Sequence, residues 1–172
     1  MKNYKNKKGV SQLVITAIMI ALVMGMTLVL FNVVSNLLND KTESAESCFG
    51  NFDEVTVNKK STCKNFSSDE LQFFVNVGDV NIDSLLVSLS SGTEAKSFEL
   101  KGGSILFVKT YGGVWNELVS PPGKNSGATY VVDLNQIGIL NVSSLTIAPK
   151  IRGSQCEVSD SLLQIDDCRL LA

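Results

Sequence analysis

The sequence predicts an α+β protein in which one long apolar α-helix is followed by an all-β head domain. Three observations carry this expectation. Residues 10–39 hold no charged side chain. Past residue 48 the apolar residues recur at every second position instead of on all sides of a helix. All four cysteines, Cys48, Cys63, Cys156 and Cys168, fall in that later part.

The chain opens on charge. Lys2, Lys5, Lys7 and Lys8 supply four of its 15 basic residues and are followed by Gly9. The remaining 11 basic residues face 17 acidic ones, a balance of −6. An acidic domain without a basic stripe gives no footing for nucleic acid, and no nucleic-acid partner is expected. Histidine, the commonest general base and metal ligand, is absent from the sequence.

The uncharged run comes next. As a helix, residues 10–39 would reach about 45 Å at about 1.5 Å per residue, more than the roughly 20 residues a bilayer core demands. Leu13, Val14, Ile15, Ala17, Ile18, Met19, Ile20, Ala21, Leu22 and Val23 cover every side of such a helix, which suits a membrane or the inside of an assembly. Ser11, Ala17, Ala21 and Gly25 are small, and the last three recur at spacings of four. Such residues let helices approach closely, although small residues are also common in any spanning helix. Asn32, Ser35, Asn36 and Asn39 close the run, and Asp40, Glu43 and Glu46 follow it. With lysines before and carboxylates after, the positive-inside rule puts the amino terminus in the cytoplasm and the head outside.

Three readings compete for this segment: a single-pass anchor, a secretory signal peptide and a prepilin helix. A signal peptide fits poorly, because the apolar part is about twice the usual 7–15 residues and no small-x-small site closes it. The stretch KKGVSQLVITAIMIAL resembles the start of archaeal type IV pilins, the group that includes the archaellins. In that family a membrane aspartyl peptidase cuts on the cytoplasmic side, directly after a short basic leader. The resemblance implies that Lys7 and Lys8 are the charged pair before the cut, Gly9 the last leader residue and Val10 the first mature one. It divides the chain into a leader (1–9), an assembly helix (10–39), a hinge (40–47) and a head (48–172). Leu13, Ala17, Ile18, Ala21 and Gly25 are then the expected assembly positions. The implied partners are further copies of the chain, the prepilin peptidase with the pilus assembly machinery, and the membrane before assembly. One departure stands out: many pilins carry glutamate at the fifth mature position, here Val14.

The stretch DKTESAES reads as a helix end or hinge. After it, Phe52, Val55 and Val57 suggest a first strand, and LQFFVNV and SLLVSLS suggest two more. SFEL and SILFVKT read as a pair joined by a hairpin turn at KGG, with ATYVVDL and SSLTIAPKIR as later strands. Short strands at this spacing imply a sandwich or partly closed barrel. FVNVGDVNIDSLLVSL resembles a stretch frequent in pilin and archaellin heads, which implies an immunoglobulin-like β-sandwich.

An even number of cysteines in an oxidising compartment favours disulfides. Local pairing, Cys48 with Cys63 and Cys156 with Cys168, is the preferred connectivity, each closing a short loop. The rival pairs Cys48 and Cys63 with the carboxy-terminal cysteines and staples the first strand to the last. Zinc is disfavoured without CxxC spacing or histidine. Asp79, Asn81 and Asp83 imitate a calcium loop, but Ser84 and Ser90 stand where glycine and glutamate are needed, so a turn is the better reading. No cofactor is expected. Asn65-Phe66-Ser67 and Asn141-Val142-Ser143 are glycosylation sequons. No GxSxG, HExxH or P-loop occurs, and no enzymatic activity is expected. Tyr111 and Trp115, the single tryptophan, mark either an exposed binding loop or a hairpin tip with a core ring. The function these features imply is a structural subunit of an extracellular pilus-like filament. The alternative is a membrane-anchored adhesin or ligand-binding protein.

Overall fold

The computed structural model describes residues 8–48, 50, 53–65 and 67–168 of the 172. The chain divides into two compact units, residues 1–43 and 44–172. A single helix, α1 (Lys8–Cys48), fills the described part of the first and enters the second. The expected boundaries shift at both ends. The helix begins two residues before Val10 and continues through residues 40–47, so that of the two readings of this stretch, helix end or hinge, it is the end of the helix. The physical reason is plain in the sequence: nothing between Asp40 and Cys48 breaks a helix, whereas Gly50 adopts a φ of +87°.

The second unit is built of short strands. In chain order they are β1 (Val55–Val57), β2 (Cys63–Asn65), β3 (Glu70–Val77), β4 (Ser84–Ser90), β5 (Ala95–Leu100), β6 (Gly103–Ser104) and β7 (Val108–Thr110). There follow β8 (Leu118–Val119), β9 (Ser126–Asp133), the single helical turn α2 (Leu134–Ile137), β10 (Ser144–Ile151), β11 (Ser154–Gln155), β12 (Asp160–Leu162) and β13 (Asp166–Asp167). The first sheet runs β13-β2-β3-β9-β7, with β1 also pairing β3. The second runs β11-β10-β4-β5, with β12 also pairing β10. Only β13 with β2 is parallel among these pairs; the others are antiparallel.

Alternation sets the inner faces. Leu71, Phe73, Val75 and Val77 of β3 are buried, as are Leu85, Val87 and Leu89 of β4 and Leu145, Ile147 and Ile151 of β10. They share one apolar core with Tyr130 and Val132 of β9. The expected architecture, an apolar helix followed by a β-sandwich head, is the one observed. Phe73 and Tyr130 are register partners with ring centroids 5.4 Å apart, and the Tyr130 hydroxyl donates to the Ser120 carbonyl at 2.6 Å. Burial raises the pKa of that phenol.

Proline in mid-strand is tolerated for a local reason. The Pro149 carbonyl accepts from Cys156 N–H on the edge away from β4, so its missing N–H falls on the same outer edge. That point lies between the stretch paired with β12 and the one paired with β11.

The KGG turn departs from expectation. β5 pairs with β4 in the second sheet and β7 pairs with β9 in the first, so the glycines do not close a hairpin between them. Gly102, at a φ of +83°, instead sends its N–H to the Val119 carbonyl, and Gly103 opens the small β6–β8 ribbon as the chain crosses between sheets. Phe52, expected in the first strand, lies outside the described residues; β1 begins at Val55.

Candidate membrane and assembly surface

Residues Gln12–Asn36 form a 25-residue stretch of α1 long and apolar enough to cross a membrane. At about 1.5 Å per residue it spans roughly 37 Å, against a hydrocarbon core of about 30 Å. Its large side chains are exposed on every side, Leu13 at 73% and Ile18 at 55%. Three polar residues within it turn hydrogen bonds onto the helix's own carbonyls. Thr16 Oγ1 donates to the Leu13 carbonyl and Thr27 Oγ1 to that of Met24, each at 2.9 Å. Asn32 Nδ2 reaches the Leu28 carbonyl at 3.0 Å. These donors therefore present little polarity to apolar surroundings.

Leu13, Ala17, Ala21 and Gly25 follow one another at intervals of four, and all are exposed. The methyl of Ala21 and the missing side chain at Gly25 leave an apolar hollow bordered by Ile18, Leu22, Met26 and Val29. A Cβ added at Gly25 would meet nothing within 4 Å, so the hollow is open to a partner. Of the expected processing residues, Lys7 lies outside the described residues. Lys8, Gly9 and Val10 belong to the first turn of α1, and their side chains and that of Ser11 lie outside the description.

At the other end of the helix the local disulfide pairing is overturned. Cys48, the last residue of α1, bonds Cys156, with Cα atoms 5.5 Å apart. Cys63 of β2 bonds Cys168, with Cα atoms 4.8 Å apart. The fold explains both pairings. β13 runs parallel to β2, with Asp166 opposite Cys63, and this brings the end of the chain back to the start of the head. β1 and β12 meet similarly, the Val57 N–H donating to Asp160 Oδ2 at 2.8 Å. Disulfides of this kind fit an oxidising compartment. Together with the apolar helix they suit a chain held at a membrane or led there by a signal, with its head outside.

The calcium-like carboxylates are engaged separately. Lys124 Nζ meets Asp79 Oδ1 at 2.9 Å and Asn125 Nδ2 donates to the same oxygen at 3.2 Å. The Lys124 hydrogen bond, then that of Asn125, holds the Asp79 carboxyl below its usual range. Asp83 Oδ2 accepts from the Gly153 N–H at 2.6 Å. Both lie in the connection between β3 and β4, as the sequence reading has it, and each ties that connection to a different distant loop. Trp115 is half-buried outside the core, with Lys109 Nζ 4.1 Å from its ring centroid, while Tyr111 is 69% exposed. The ring is thus that of a surface loop.

Sequence reasoning missed the outer face of the first sheet. A cleft of about 300 Å³ lies there, lined among others by Asn65, Glu70, Gln72, Lys109 and Tyr111. Only the register β2-β3-β9-β7 gathers these residues, and no spacing along the chain announces them. No family model matches the chain, and no curated protein is significantly similar to it.

Proposed function

We propose that the chain is the structural subunit of an archaeal type IV pilus-like filament that polymerises through α1 after its basic leader is removed. The observation that carries this reading is the sequence Lys7-Lys8-Gly9-Val10 at the start of a helix that, from Leu13 on, exposes apolar side chains on all sides. Moving a lysine through the bilayer centre costs about 2.5–3.5 kcal/mol on insertion scales, so the leader tethers the precursor to the cytoplasmic leaflet. Cutting after Gly9 removes that tether and keeps the apolar helix. Ordinary signal removal would discard the helix instead.

The freed helix then exchanges lipid for copies of itself, and Ala17, Ala21 and Gly25 allow close approach. Identical subunits related by a rotation and a rise that does not close form a filament. The prepilin peptidase, the assembly machinery and the membrane are the partners of the precursor, and the mature subunit lies on the cell surface. Mass spectrometry of protein from the producing cell is expected to find Val10 as the first residue. Electron microscopy of sheared surface material is expected to show filaments containing it. An intact lysine-bearing start, or a mature chain that stays a lone subunit in the membrane, overturns the proposal; the second result points to an anchored adhesin.

A further inference from the structure

The cleft on the outer face of the first sheet and the sequon at its edge belong to one another. Register puts Asn65 opposite Glu70. One step along, Cys63, Gln72, Val131 and Lys109 form a row across β2, β3, β9 and β7. Partners in a ladder share a face, so Asn65, Glu70, Gln72 and Lys109 all stand on the outer side. At about 4.8 Å per strand, the three steps from β2 to β7 measure roughly 14 Å. Tyr111 borders the cleft just beyond β7, and Cys168, held on Cys63, borders it at the β2 side.

We propose that Asn65 is an N-glycosylation acceptor and that the first sugars of its glycan lie in this cleft. The amide is already oriented for it. The Ser67 N–H donates to Asn65 Oδ1 at 2.9 Å. A backbone N–H can only donate, so the atom facing it is the oxygen, and Nδ2 is the end turned away. No hydrogen bond occupies Nδ2 among the described residues. The lining suits a sugar. Glu70 and Gln72 supply acceptors and a donor, and Lys109 Nζ, 3.8 Å from Glu70 Oε1, supplies a further donor. The exposed Tyr111 ring offers an apolar face with a polar tip.

The second sequon is built differently. Asn141 is exposed, but the Ser143 N–H that would close the same turn donates to the Ser90 carbonyl at 2.8 Å. The Ser143 hydroxyl donates to that carbonyl as well, at 3.2 Å. Asn65 is therefore the site with a prepared acceptor and a bed, and Asn141 has neither.

The transfer needs a lipid-phosphate-linked oligosaccharide and an external transferase. Asn65 Nδ2 forms a bond to the anomeric carbon, the bond from that carbon to the phosphate oxygen breaks, the lipid phosphate leaves and the amide proton passes to a base of the transferase. The inference rests on the external placement of the head and not on polymerisation. Filaments with a bare Asn65 defeat it alone, and a glycosylated chain that never polymerises defeats the filament reading alone.

Glycopeptide mass mapping of the full chain from its producing cells is expected to find a glycan on Asn65 and none on Asn141. An unmodified Asn65, or modification of Asn141 alone, overturns the assignment. Tyr111→Ala then tests the bed, with occupancy of Asn65 measured on the same sample. In the glycosylated chain it is expected to lower Tm by about 3 °C, and in an Asn65→Gln background to leave Tm unchanged. An equal shift in both backgrounds overturns the bed.

Discussion

Removing the disulfides one pair at a time is expected to be markedly non-additive, because their loops overlap. Cys48–Cys156 spans 108 residues and Cys63–Cys168 spans 105. In the chain-entropy argument either bond alone restricts the unfolded chain by about 4.8 kcal/mol at 25 °C. With one bond in place, the other closes a far shorter circuit: fifteen residues from Cys48 to Cys63 and twelve from Cys156 to Cys168. That loop of about 27 residues is worth about 3.5 kcal/mol. The paired change Cys48→Ala with Cys156→Ala should therefore cost about 3.5 kcal/mol, as should Cys63→Ala with Cys168→Ala. Removing all four should cost about 8.3 kcal/mol, some 1.3 more than the two pairs together. Packing lost at each pair enters the single and the combined variants alike and cancels in the cycle. Urea unfolding of the full chain in detergent, followed by circular dichroism of the β-signal, measures all four corners. Pairing Cys48 with Cys63 and Cys156 with Cys168 would make two independent loops worth about 3 kcal/mol each. Either paired change would then break both bonds at a cost of about 6 kcal/mol, and removing all four would cost no more. That result would refute the stapling of the first strands to the end of the chain.

Two further outcomes follow from single side chains. The Tyr130 phenol is neutral in the fold and its pKa is raised, so an unfolded chain gives up that proton first, near its ordinary value of about 10. The stabilisation is full below pH 10 and is lost as pH rises beyond it. Tyr130→Phe should cost about 1 kcal/mol at neutral pH through the lost bond to Ser120, and should flatten the alkaline arm of a stability–pH curve; an unchanged arm would refute the assignment. Gly25→Leu fills the hollow beside Ala21 while raising helix propensity by about 1 kcal/mol. Membrane insertion should persist and filaments should be lost, and normal filaments by electron microscopy would rule out close packing at that position.

The parts of this fold legible in the sequence are those whose cause is local. β3 announces itself because Leu71, Phe73, Val75 and Val77 alternate without interruption, and α1 because charge is missing for so long. β2 does not, since Cys-Lys-Asn carries no alternation and its place depends on Gln72 and Leu71 opposite. α2 had a usable signal that went unread. Asp133 caps it through bonds to the N–H groups of Asn135 and Gln136, and Gly138 ends it at a φ of +75°. Glycines at 102 and 103 mislead because a turn residue states that the chain bends, not which strand it pairs with next. The choice between the two disulfide connectivities and the cleft beside Asn65 were out of reach for one reason: both depend on strand order. Loop-closure entropy favours short loops, and that bias points to the wrong cysteine pairs until β13 is seen beside β2.

The apolar helix also sets the terms on which the proposed assembly must run. About sixteen large apolar side chains between residues 13 and 34 are exposed, at about 1.5–3 kcal/mol each for full burial. Leaving them in water would cost tens of kcal/mol, several times the whole stability of an ordinary domain. The helix must therefore always be covered. Lipid tails are about as apolar as leucine, so moving it from bilayer to bundle gains almost nothing from the hydrophobic effect. What decides between the two is the remainder: close packing over Ala17, Ala21 and Gly25, contacts between heads, and the cost of moving lysines off the cytoplasmic side. Close packing is worth a few kcal/mol at most, whereas the four lysines of the leader, at about 2.5–3.5 kcal/mol each, hold the precursor back by roughly 10–14 kcal/mol. In the proposed assembly a single peptide-bond cleavage, which removes the lysines and leaves the apolar helix intact, would therefore determine whether the subunit stays in the membrane or enters a filament.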